Sequence, residues 1–487
     1  MFAGQVSRLW WICLLSLTVM RILVCAWLPL TPDEAYYRIW ALAPALGYFD
    51  HPPMVAAFIK IGQILAGDTP LGLRLLGPLS AGLGTVFLAC AARDWALLRG
   101  KDAAQAMASA LKATVLLNAT LALGVGCVVM TPDTPLVFFI TLFVWAFVRL
   151  VRTQNGAWWL AVGAAAGLGF ASKYTALLPV AGLGVWALLT PVGRGWLKTK
   201  WLWLGGVSAI LCASPIIWWN ATHHWASFLK QGGRVGDWHP AKMLTYFSEL
   251  VGGQVGLATP GIFVFFVAGV CLLLRQKEAV SRALFCMVVV SVLVFVQHAV
   301  GARVQANWPV VLYPLLALAG TLPVWRWWKG ASGLGFALSA LVIVQALFAP
   351  LKASAHIDIT LRQMGGWAAF VQSLPTDAPL IADDYGLAGE LAFYSKSQQP
   401  VIAVEPRWAL FNLPHAACAE GYLVRGHKQG DDPERAGFHV LARLPVVTRM
   451  RASQVADTYS VYKVSLACTG ADSAQNAVVL PLRRRAQ

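Results

Sequence analysis

The sequence predicts a membrane all-α fold, a polytopic helical bundle of about eleven or more spans, followed by a C-terminal α/β domain outside the membrane. Three observations predict it. Of 487 residues, 58% are hydrophobic and 12% charged, and the mean hydropathy is +0.62; a soluble domain carries roughly 25% charged residues. Apolar runs of spanning length recur through residues 1–351 and then stop. Finally, the basic residues collect in alternate connections between those runs.

A helix needs roughly 17–25 apolar residues to cross a bilayer. Candidate segments are 9–30, 75–98, 103–131 (long and broken), 134–151, 157–171, 175–191, 201–220, 253–274, 283–300, 306–323 and 333–351. The first is long enough to span and no small-x-small cleavage site follows it, so it reads as a retained helix, not a signal peptide. The 22 tryptophans suit a protein with two lipid–water boundaries to anchor.

Cytoplasmic loops carry an excess of Lys and Arg. With the N-terminus and Arg8 placed inside, the inner loops contain Arg93, Arg99 and Lys101; Arg149 and Arg152; Arg194, Lys198 and Lys200; Arg275, Lys277 and Arg282; and Arg326 and Lys329. The outer connections are poorer in cations for their length, the 221–252 connection being the main exception. This loop bias accounts for much of the +16 net charge, and no nucleic-acid-binding motif is visible. An odd number of crossings places residues 352–487 outside. There the runs at 379–382, 400–404, 421–424 and 438–444 read as strands and 385–394 as a helix, with a basic tail at Arg483–Arg485. The chain thus divides into a membrane domain, 1–351, including a first outer loop at 31–72, and a soluble domain, 352–487. Seven of the nine cysteines lie in apolar segments as small buried hydrophobes; Cys418 and Cys468 fall outside the membrane, where a disulfide or two free thiols are both open.

The polar residues that interrupt this pattern gather on the outer face. The first loop reads Thr31-Pro32-Asp33-Glu34-Ala35-Tyr36-Tyr37, then Gly47-Tyr48-Phe49-Asp50-His51-Pro52-Pro53. Its opening also has the form of a helix start, so the acids have a structural alternative. Asp133 stands in Met130-Thr131-Pro132-Asp133-Thr134-Pro135, Lys173 in Ala171-Ser172-Lys173-Tyr174, and Arg303 in Ala302-Arg303-Val304-Gln305-Ala306-Asn307-Trp308-Pro309. Ionisable residues at a membrane are costly and mark sites, although Lys173 or Arg303 taken singly could snorkel. Together, acids and cations at one membrane face suit a reaction on a lipid-linked phosphate. The cations neutralise a leaving phosphate, and a carboxylate takes the proton of an attacking hydroxyl.

These residues resemble the bacterial GT-C glycosyltransferases, which are related to the protein O-mannosyltransferases and the lipid A aminoarabinose transferase. The first loop is the specific piece. Thr131-Pro132-Asp133-Thr134-Pro135-Leu136, Ser172-Lys173-Tyr174 and Asn307-Trp308-Pro309 extend the likeness over residues 5–350. The resemblance implies a GT-C-type bundle in the bacterial inner membrane, with a periplasmic first loop and C-terminal domain. It also implies an undecaprenyl-phosphate-type sugar donor and transfer with inversion. By position Asp33 looks like the base, with Glu34 and Asp133 as further acids; Lys173 and Arg303 look like phosphate ligands. His51 stands where the aminoarabinose transferase has a lysine before proline, so it is carried over to the phosphate site. Asp50 matches an acid that can join a metal site in that relative, but no ligand cluster supports a metal here and no cofactor is expected. Asp50, Tyr36, Tyr174 and Asn307 are assigned to substrate.

The partners implied are a polyprenyl-phosphate sugar, a glycolipid or glycan acceptor, and membrane lipid; nucleic acid is not among them. A protein acceptor is the alternative within the enzyme reading. A transporter or flippase of lipid-linked sugars, or an inactive assembly subunit, are the alternatives outside it. No matching halves with interrupted spans favour the transporter.

Overall fold

The computed structural model describes residues 5–233, 238, 240–395, 399–416, 420–430, 432–434, 438–466 and 477–483. Cys418, Cys468, Arg484 and Arg485 lie outside the described residues.

All eleven apolar runs contain helix, Gln5–Trp27, Leu76–Leu98, Asp133–Thr153, Lys200–Thr222, Ala279–Gly301 and Trp328–Phe348 among them. The run at 103–131 is broken as its sequence suggested. Ala103–Asn118 ends, and Thr120 caps the short Leu121–Gly124 helix by accepting from the Leu123 amide at 3.2 Å. Among the described residues six helices are long and apolar enough to cross a bilayer, or up to eight spans if each of two bent pairs counts as one. The difference from about eleven lies in length. Trp158–Phe170 has 13 residues, which at 1.5 Å per residue covers about 20 Å of a roughly 30 Å hydrocarbon core.

The chain packs as two compact units. The first comprises Met1–Ile22, Leu46–Val55 and Leu76–Ala340. Its helices meet through small residues and a few satisfied polar groups. A Cβ on Gly163 would lie 1.8 Å from the Gly205 carbonyl oxygen, so the Trp158–Phe170 and Lys200–Thr222 helices touch backbone to backbone. Arg21, buried in an apolar helix, donates to Asn118 Oδ1 at 2.8 Å, and Asn118 donates to Thr85 at 2.9 Å. At the C-terminal end of Asp133–Thr153, Arg149 pairs with Asp94 at 2.9 Å and Arg152 pairs with the same carboxylate. Asp133 opens the other end of that helix.

The second unit comprises Leu23–Ala45, Ala56–Leu75 and Leu341–Gln487. A boundary drawn along the chain at residue 351 cannot express this grouping. Its sheet has strands β1 (Leu380–Ala382), β2 (Val401–Val404), β3 (Glu420–Gly426), β4 (Phe438–Arg443), β5 (Val447–Arg451), β6 (Gln454–Leu466) and β7 (Ala477–Leu480). The order is β4-β6-β3-β1-β2-β7, with β5 also on β6. β1 pairs in parallel with both β2 and β3; the other pairings are antiparallel. Four strands and the Tyr385–Tyr394 helix stand where alternation placed them, whereas β5, β6 and β7 were not expected. Ile381, Ile402, Leu423, Phe438, Tyr462 and Val464 form the buried core.

Candidate active site

In the first unit, the connections carrying Lys173 and Asn307 converge on Asp133. Lys173 leaves the end of Trp158–Phe170 in an extended conformation and reaches back to donate to both carboxylate oxygens of Asp133, at 2.7 and 2.9 Å. Asn307, exposed, donates to Oδ2 at 2.6 Å. The pair is enclosed but not sealed, with side-chain exposures of 6% for Lys173 and 13% for Asp133. Asp133 also occupies the first turn of its helix, where the positive end of the macrodipole favours a carboxylate.

The loop carrying Asp50 and His51 is stitched to the same place, because the Met54 amide donates to the Ala171 carbonyl at 3.1 Å. Burial lowers the His51 imidazole to about 4; Lys173 and Lys230 push the same way, while Asp50 and Asp133 oppose them. His51 is therefore neutral at physiological pH and brings no permanent positive charge to the phosphate-binding position carried over to it.

Sequence reasoning missed Lys230. It pairs with Asp50 and lies 4.1 Å from the Phe49 ring centre, and the neighbouring Gln231 donates to the Asp50 carbonyl at 2.8 Å. The short Ala226–Gly232 helix that carries it is pinned by a 2.6 Å hydrogen bond between Ser227 and Tyr174. Tyr174 thus orders this helix. The signal was available, since 221–252 was the main outer connection whose cations broke the loop bias. Arg303 is in a 2.9 Å ion pair with Glu249, with 64% and 38% of the two side chains exposed.

In the second unit Asp33 and Glu34 have opposite fates. Thr31 and Glu34 form a capping box at the start of Pro32–Leu42. Glu34 is fully buried and receives Arg74 through Nε at 2.6 Å and Nη2 at 2.6 Å. Arg74 also donates to the Leu28 and Pro29 carbonyls at 2.5 and 2.8 Å. Glu34, expected among the catalytic acids, has no solvent face from which to take a substrate proton; it holds the loop together. Tyr36, expected at the substrate, is 1% exposed and packs against Tyr385, Trp408 and Trp40. Asp33 is exposed and accepts from the Tyr385 hydroxyl at 3.1 Å. Among the described residues, no group of three His, Cys, Asp or Glu side chains could hold a metal ion.

Comparisons with known proteins show what this arrangement is similar to. Residues 50–219 match the family model of the dolichyl-phosphate-mannose-protein mannosyltransferases. The lipid A galacturonosyltransferase RgtD of Rhizobium johnstonii is 28% identical over 325 residues, 65% of this chain; the chain spans 64% of that relative's length. Two solved structures of ArnT from Cupriavidus metallidurans, one bound to undecaprenyl phosphate and one in the apo state, superpose with a TM-score of 0.60. They cover 94% of this chain and 98% of their own at 15% identity, a likeness of fold. The chain therefore shares the ArnT fold, and residues 50–219 are similar to the protein mannosyltransferases; among the described residues six helices are long and apolar enough to cross a membrane.

Proposed function

We propose that the protein is an inverting glycosyltransferase moving a sugar from a polyprenyl-phosphate donor to a hydroxyl of an envelope glycolipid on the periplasmic side of a bacterial inner membrane. The observation that carries this reading is the Asp133–Lys173–Asn307 cluster, flanked by Asp50 and Lys230. A cation held against a carboxylate at a helix end, enclosed but reachable, suits a phosphate that arrives and leaves with its lipid. RgtD's description as a lipid A transferase and the undecaprenyl phosphate bound by ArnT support the donor and acceptor classes. The alternating basic loops support an inside N-terminus.

In this reading the acceptor hydroxyl loses its proton to Asp33 as its oxygen bonds to the anomeric carbon. The bond from that carbon to the phosphate oxygen breaks, its electron pair stays on the phosphate, and Lys173 with Lys230 neutralises the charge. One displacement inverts the anomeric centre. Asp133 orients Lys173 and yields it as the phosphate enters.

The test is transfer in proteoliposomes from an undecaprenyl-phosphate sugar to a lipid A acceptor, read by intact mass. A new covalent glycolipid is expected; sugar moved across the bilayer without bond formation would make the protein a transporter, and glycopeptide alone would make its acceptor a protein. Loss of a general base costs about 10²–10⁴ in rate. Asp33→Asn is therefore expected to lose at least a hundredfold in kcat with an unchanged melting curve, and near-normal turnover would remove Asp33 as the base.

A further inference from the structure

The helix carrying Asp33 is docked, within its own unit, on the Tyr385–Tyr394 helix that follows β1. A Cβ on Gly386 would lie 2.7 Å from Pro32 Cβ, and one on Gly389 would lie 2.7 Å from the Ala35 carbonyl carbon. The two helices therefore meet with almost no side chain between them, an approach that only glycine allows. Beneath this contact lie buried charged groups. The Glu34–Arg74 pair has no exposure, and Glu390, on the same supporting helix, is also 0% exposed.

At the outer end of the contact, Tyr385 donates its hydroxyl to Asp33 Oδ1 at 3.1 Å. The phenol is itself held on two sides. Its ring lies 4.6 Å from that of Tyr36 and 4.2 Å from the Arg407 guanidinium, and Arg407 is tied to Glu405 at 2.9 Å. Burial, then the Asp33 and Asp384 carboxylates, push the Tyr385 hydroxyl far above its ordinary value, so it stays a donor at every working pH. Tyr385 begins just after parallel strand β1, and Arg407 just after β2. The carboxyl ends of parallel strands are where such sheets deliver functional groups.

An exposed aspartate in the first turn of a helix is free to change rotamer. A hydrogen bond from a clamped phenol removes that freedom and stabilises the ionised form. We infer that the C-terminal sheet and its Tyr385–Tyr394 helix form a rigid mount that aims the Asp33 carboxylate, with Tyr385 as the positioning residue and Arg407 fixing the ring. The inference rests on the reading of Asp33 as the base, and it assigns the soluble region a part in turnover.

Tyr385→Phe keeps the ring and removes only the hydroxyl. It is expected to lower kcat about tenfold, leave KM for the lipid-linked donor unchanged, and move the acid limb of the rate profile about one pH unit upward, the direction expected when an ionised carboxylate loses a donor. A purely structural tyrosine would shift the melting curve without moving that limb. A wild-type limb and kcat in Tyr385→Phe, beside an inert Asp33→Asn, overturns the mount while leaving the base in place. An active Asp33→Asn overturns both. Should Tyr385→Phe fail to fold, Arg407→Gln reads the same limb: a smaller upward shift supports the mount, and an unmoved limb overturns it.

Discussion

Two segments of this chain begin with Thr-Pro-Asp and open a helix, and they use their charges in opposite ways. At residues 31–34 the motif continues into Glu34, which closes a capping box and is then enclosed with Arg74, neither side chain having any exposure. At residues 131–133 no glutamate follows; Asp133 is left at the mouth of its helix, to be met by Lys173 and Asn307 from distant connections. The first pair is sealed from solvent, with the Leu28 and Pro29 carbonyls completing the guanidinium. The second is completed from other loops and keeps an exposed edge. Both pairs join residues forty apart in sequence, so the difference lies in exposure: complete burial makes a strut, whereas a pair with solvent access and an exposed third partner makes a site.

The largest expected effect tests the strut. Arg74→Ala leaves Glu34 buried and unpaired, and breaking such a pair costs about 3–5 kcal/mol. For a unit of this size that is a fall of about 10 °C in melting temperature, so the variant is expected to express poorly or melt early in detergent. Replacing both partners, Glu34→Leu with Arg74→Met, is expected to recover much of the loss. Equal melting in Arg74→Ala and wild type would mean that the pair is no strut.

Lys173→Ala is the counterpart. Asp133 keeps Asn307 and partial access to water, so a stability change of about 1 kcal/mol is expected. The donor is affected more, because a lost charge-assisted contact to phosphate is worth about 1.5–3 kcal/mol, a roughly ten- to hundredfold rise in apparent KM for the lipid-linked sugar. If Lys173→Ala instead destabilises as Arg74→Ala does and binds donor normally, the contrast between the two pairs collapses.

Between these stands His51. Its folded pKa of about 4 lies below the ordinary 6.5, so between those values the unfolded chain binds more protons than the folded one. Stability is then complete above pH 6.5 and declines as pH falls toward 4, by up to about 3 kcal/mol. His51→Gln is expected to flatten that slope in pH-dependent melting. Donor KM is expected to show no limb near pH 6.5, and a limb there that vanishes in His51→Gln would restore the histidine as a phosphate-binding cation.

Much of this was legible because membrane helices announce themselves by length and composition, and charges that break the pattern are few. What stayed illegible had physical causes. The β5–β6 hairpin turns on Ala452 and Ser453, both with positive φ (48° and 64°), without the Asn-Gly or Asp-Gly that signals such a turn. β7 is four residues long and gains meaning only by pairing with β2. The opposite fates of Asp33 and Glu34 depended on Arg74, forty residues away, at the end of a short helix whose sequence gives no hint of its partner. Lys230 was visible as an excess cation, but only the fold brought Asp50 to it.

The smallest effect concerns Arg303, which the sequence placed with Lys173. Its pair with Glu249 is open to water, and exposed pairs contribute about 0–1 kcal/mol. Arg303→Gln is therefore expected to leave melting within about 2 °C of wild type. With the side chain engaged by Glu249 and open to water, its contribution to donor binding through long-range attraction is screened over about 8–10 Å at physiological salt, so a change of about threefold or less in donor KM is expected, fading as salt is raised. A rise above about tenfold that persists at high salt would mean that the guanidinium leaves Glu249 for the donor phosphate. Arg303 would then join Lys173 in the site, and the 302–307 connection would have to move when substrate binds.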